Sequence, residues 1–152
     1  MAGLLAACAT GQQAPVAPSP PTGRDLAVDP GTARELVESE LRALGFTLRQ
    51  DGGPLSPLAA ELADSDPAWA ECPLALARDP DPETSRASFE RPESVRTVVI
   101  ARATTLAGKT HLSLDVLEVA RYRNPYVNLT FEERCRSTGI LETRLLDAAE
   151  RG

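Results

Sequence analysis

A single histidine, three cysteines and very few aromatic rings narrow the chemistry open to this chain. One histidine and scattered cysteines do not make a tetrahedral zinc set. Cys72 lacks the second member of a Cys-x-x-Cys pair, which argues against redox catalysis. No metal site or cofactor is expected. Aromatics at 4% mean that the core is built from Leu, Val, Ile and Ala. The net charge of −6 excludes a general nucleic-acid binder, which needs surplus cations against phosphate. No apolar run reaches the roughly 18 residues of a membrane-crossing helix. Any membrane link is therefore covalent or peripheral.

What is present begins at the amino end. Leu5-Ala6-Ala7-Cys8 resembles the lipobox of bacterial lipoproteins. The resemblance implies a diacylglycerol on the Cys8 thiol, cleavage just before it, and a start upstream of Met1 that supplies the cationic and apolar parts of a signal peptide. Pro15, Pro18, Pro20 and Pro21 then favour polyproline II, a stiff tether of roughly 3 Å per residue. The expected organisation is a signal remnant over 1–8, a Pro-rich tether over 9–28 and one domain over 29–152. With Cys8 lipidated, Cys72 and Cys135 remain as an even pair. In an oxidising periplasm they form a disulfide; in a reducing compartment they stay as two buried thiols.

The folded part reads as α+β, a two-layer sandwich of about four antiparallel strands with two helices on one face. A helix is predicted over 32–44, capped by Thr32 with Glu35 reaching back, with Leu36, Val37, Leu41 and Leu44 as its apolar stripe and Gly45 as its stop. A short strand over 46–50 and a turn follow. Ser56-Pro57 and Asp66-Pro67 suggest short helices over 57–63 and 67–71, and 79–92 reads as a loop. The strongest signal is a meander over 95–106, 110–121 and 127–136. Its first turn is read as type II′ on Gly108-Lys109, which pairs Arg102 with Asp115, Ile100 with Leu117 and Val98 with Val119. Thr138 is expected to cap a last helix over 139–150 with Ile140, Leu141, Leu145, Ala148 and Ala149 inward.

Candidate sites are few. His111 reads as a solvated turn residue. Glu118 and Glu133 fall on otherwise apolar strand faces, where a buried acid acquires a raised pKa. Arg121-Tyr122-Arg123-Asn124-Pro125-Tyr126, with Arg134 and Arg136, joins guanidinium to aromatic rings and suits an anionic or sugar-bearing ligand. The face of Val98, Ile100, Leu117 and Val119 is core if Leu55, Leu58, Leu62, Trp69 and Leu74 cover it. Left open, it is a partner surface rimmed by Arg96, Arg102 and Arg121.

These readings converge on a non-enzymatic, lipid-anchored protein of the bacterial envelope, facing the periplasm. Its partners are the membrane, through Cys8, and a protein or anionic envelope polymer, not nucleic acid. Two rivals stand beside it: a small carboxylate-based hydrolase or isomerase using Glu118 or Glu133, and a cytosolic domain with a chance Leu-Ala-Ala-Cys.

Overall fold

The computed structural model describes residues 22–49, 52–53 and 56–152. Cys8, most of the expected tether and Leu55 lie outside them. In chain order the elements are β1 (Thr22–Leu26), α1 (Pro30–Ala43), β2 (Thr47–Arg49), β3 (Leu58–Leu62), a 3-10 turn (Pro67–Trp69), β4 (Ala70–Glu71), β5 (Ala75–Arg78), β6 (Ala87–Glu90), β7 (Ser94–Leu106), β8 (Lys109–Asn124), β9 (Leu129–Ser137) and α2 (Ile140–Glu150). The class is α+β. The sheet is larger than the four strands expected: seven antiparallel strands run in the order β2-β3-β7-β8-β9-β4 with β1 beside β8, and β5 and β6 form a separate pair.

β8 is the spine. β7 pairs with its residues 109–121, so β1 and β9 share its other edge, at residues 110–114 and 118–124. Thr22–Leu26, expected in the tether, is thus part of the folded domain. Gly23 allows the fit, because a Cβ there would lie 2.8 Å from Nε2 of His111. Residues 58–62 form a strand, not a helix. Leu-Ala-Ala-Glu-Leu is good helix sequence, but pairing between β2 and β7 buries Leu58 and Ala60 and overrides that preference. Part of the expected 79–92 loop is likewise β6, paired with β5.

The β7–β8 turn falls on Ala107 and Gly108, with φ of 51° and 76°, the pattern of a type I′ turn. Arg102 therefore faces Ser113, Ile100 faces Asp115 and Val98 faces Leu117. The register differs from the expected one by two residues, so every side chain keeps its face while changing its partner.

Val99, Ala101, Leu112, Leu114 and Val116 on one sheet face share a core with Ala33, Val37 and Leu41 of α1 and with Leu141, Leu145, Leu146 and Ala149 of α2. Phe46 and Trp69 stack inside it with ring centroids 6.1 Å apart. α1 starts earlier than expected, because Asp29, not Thr32, is its cap. The Asp29 carboxylate accepts from the Thr32 amide and hydroxyl, with Pro30 in the first turn. Gly139, at φ 82°, caps α2 in place of Thr138, whose hydroxyl donates to the carbonyls of Ala68 and Trp69. Ile140 consequently faces solvent. Ala75, Ala120, Tyr122 and Cys135 form a second, smaller core. Beside it Cys72 and Cys135 are joined as a disulfide, with Cα atoms 4.5 Å apart and 63 residues between them in sequence.

Candidate interface on the open sheet face

β8 alternates cleanly. Thr110, Leu112, Leu114, Val116, Glu118, Ala120 and Tyr122 are buried, while the residues between them point to the opposite face. Among the described residues, those expected to cover that opposite face do not lie on it. Leu58 and Trp69 are buried in the helix-side core, Leu62 packs against the same core, and Leu74 is 51% exposed. Val98, Ile100, Leu117 and Val119 are left half-buried in a central aliphatic stripe.

Arginines surround the stripe. Registers place Arg96 beside Val119, Val119 beside Arg134, and Arg121 beside Glu132. The same alternation puts Arg102, Arg123 and Arg136 on this face. Arg96 is partly neutralised, with Glu61 at 3.4 Å and Glu132 at 3.7 Å, and Arg49 pairs with Glu61 at 2.7 Å. Arg121 donates weakly to the Thr130 hydroxyl at 3.5 Å, and Arg123 donates to Asn128. Neither these two nor Arg102, Arg134 and Arg136 form an ion pair among the described residues. Arginines outnumber the acids on this sheet face, which also carries Glu61, Glu71, Asp115 and Glu132. Arg123 also lines a cleft of about 360 Å³ with Glu90, Arg91, Glu93, Pro125 and Asn128.

The structure thus divides the segment singled out in the sequence. Arg121, Arg123, Arg134 and Arg136 share the open face. Tyr122 does not belong to the surface. It is fully buried on the helix side, stacks on Phe131 at 5.4 Å and donates its hydroxyl to the Pro73 carbonyl at 2.6 Å. Burial raises its pKa. Tyr126 is half-buried in the β8–β9 connection, where its amide donates to Asn124.

The two acids part in the same way. Glu133 is exposed, whereas Glu118 is 1% exposed and its pKa is pushed up to about 7, first by burial and then by the charge of Glu142. The Glu118 carboxyl lines neither the 360 Å³ cleft nor the cleft of about 600 Å³ between residues 25–30 and the β7–β8 turn. Sequence reasoning missed Glu142. His111 bonds through Nδ1 to Asp25 at 2.8 Å, a partner supplied by β1, and no hydroxyl or thiol bonds to it among the described residues. Those residues hold no group of three or more His, Cys, Asp and Glu placed to bind a metal, and no helix long and apolar enough to cross a membrane.

No protein-family model, curated protein or solved structure matches this chain. Any functional reading therefore rests on its own geometry.

Proposed function

We propose that this chain is a non-catalytic binding module of the bacterial envelope, tethered by a lipid on Cys8 and facing the periplasm, whose open sheet face grips an acidic protein partner. The observation that carries the reading is the excess of arginines over acids around Val98, Ile100, Leu117 and Val119 on a chain of net charge −6, with Arg102, Arg121, Arg123, Arg134 and Arg136 making no ion pair among the described residues. Arginine offers a planar fork of donors to carboxylates, and an aliphatic centre excludes water from the contact. That combination favours a protein surface carrying an apolar ridge with acids alongside. A glycan or phosphate polymer would use the arginines and leave the stripe idle. The disulfide fits an oxidising compartment.

Site-specific photocrosslinking from Ile100 in the native host tests the interface. A discrete protein adduct that disappears with Arg121→Glu plus Arg134→Glu supports it. A polymer smear moves the reading to an envelope polymer, and no adduct removes it. Fatty-acid labelling tests the anchor: label lost in Cys8→Ser supports it, and an unlabelled chain with a free Cys8 thiol refutes it.

The carboxylate-enzyme reading keeps one supporting observation, the raised pKa of Glu118. Its side chain is enclosed between the helices and the sheet, which leaves a substrate no evident route to it.

A further inference from the structure

The β5–β6 ribbon stands apart from the main sheet, and its register fixes its inner and outer faces. Ala75 and Ala77 of β5 are buried and pair with Glu90 and Ser88 of β6, so all of these face the body of the domain. Leu76 and Phe89 pair with each other on the outer face, where they are 39% and 66% exposed. Leu74, just before β5, is exposed as well.

The backbone of β6 is satisfied on one side. The Asp79 amide donates to the Arg86 carbonyl, which makes Asp79 and Arg86 a hydrogen-bonded pair. Such pairs recur at every second residue of an antiparallel ladder, so Ala77–Ser88 and Ala75–Glu90 continue the series. Ala87 and Phe89 lie between them, and their N–H and C=O groups point away from β5. Among the described residues β6 borders no strand but β5, and no hydrogen bond reaches those groups. Ser85, at φ 47°, and Pro92 close this open edge at its ends.

A two-fold partner must set its own outward backbone groups against these, so the axis passes through a residue and not between residues. Charge selects the residue. With the axis on Ala87, Arg86 faces Ser88 of the second copy; with the axis on Phe89, it faces Pro92. With the axis on Ser88, Arg86 faces Glu90 of the second copy, and Glu90 faces its Arg86. Each Ala87 then exchanges both backbone bonds with Phe89 of the second copy, and the Phe89 rings become diagonal neighbours across the axis, within reach of each other. We propose that β6 joins β6 of a second copy, antiparallel about a two-fold axis at Ser88, so that the ribbons merge into one sheet in the order β5-β6-β6-β5. The occupant of the edge is this chain because the edge complements itself in hydrogen bonding and in charge. Glu90 accepts from the Ser88 hydroxyl at 2.5 Å, and Arg86 attracts Asp79, but neither Arg86 nor Glu90 forms an ion pair among the described residues. The contact is small, so the dimer is weak and depends on concentration. It uses no residue of the open sheet face and stands whatever that face binds.

Cysteine crosslinking of the full chain in a Cys8→Ser background tests the register. Facing residues of a non-hydrogen-bonded pair have Cα atoms about 4.5 Å apart, within disulfide range. Ser88→Cys should therefore oxidise to a covalent dimer about 10-fold faster than Glu83→Cys, an exposed position in the β5–β6 turn. Equal rates overturn the proposal. Sedimentation equilibrium of the Cys8→Ser chain gives an independent reading. Arg86→Glu should weaken the dimer about 5- to 10-fold, and adding Glu90→Arg should restore it. A chain that stays monomeric at about 1 mM, or a dimer indifferent to Arg86→Glu, refutes the proposal. A dimer lost in Arg121→Glu plus Arg134→Glu but intact in Arg86→Glu would move self-association to the open sheet face and would also overturn it.

Discussion

Cutting the Cys72–Cys135 bond should cost this domain a large part of its stability. Replacing both residues with alanine releases a loop spanned by 63 residues of sequence separation. In the chain-entropy treatment, freeing the unfolded chain over that length costs about 4 kcal/mol at room temperature. The folded state adds a local loss. The segment from Ala70 to Arg78 is fastened by the two residue pairs of β4 with β9, by the Tyr122 hydroxyl on Pro73 and by the disulfide. Without the last of these, the smaller core of Ala75, Ala120 and Tyr122 loses its covalent edge. Thermal denaturation should register a fall of about 8–16 °C, taking about 2–4 °C per kcal/mol for a domain of this size. The urea m-value should grow, because the unlinked chain expands further on unfolding. A loss below about 1 kcal/mol, or an unchanged m-value, would refute the reasoning.

Three smaller perturbations probe other joints. Tyr122→Phe keeps the stacked ring and removes the donor to Pro73, which should destabilise the fold by about 1 kcal/mol in urea unfolding. Asp29→Ala deletes the α1 cap and should cost about 0.5–2 kcal/mol, whereas Thr32→Val should cost less, since Thr32 only supplements the cap. Ala107→Asn or Ala107→Gly should raise the melting temperature, by about 1 kcal/mol of relieved strain, because Ala107 holds a left-handed conformation.

The long hairpin was legible because period-2 alternation over many residues leaves one choice of buried face. That parity also brought Arg121, Arg123, Arg134 and Arg136 together. The exact pairing was not legible, since it hangs on which two residues turn, and Ala107 is a poor advertisement for positive φ. Tyr122 was misplaced because β8 was expected to stop at Arg121; extended to Asn124, the alternation puts Tyr122 inward. β1, β3 and the β5–β6 pair were missed for another reason. Each is a few residues long and becomes a strand only through a partner distant in sequence or through burial that local preference does not encode. Glu142 escaped because a cap at Thr138 drew attention to an apolar stripe that passes it by.

The placement of β8 has a consequence for assembly. β1, among the first described residues, finds its neighbour at Lys109–Asn124, and α1 packs on α2 across a separation of about a hundred residues. A nascent chain halted before Lys109 leaves β1 without the strand it pairs with and α1 without α2 to pack on. Folding of the described residues must therefore wait until Lys109–Asn124 has been made, so that β1 and β7 can pair with it.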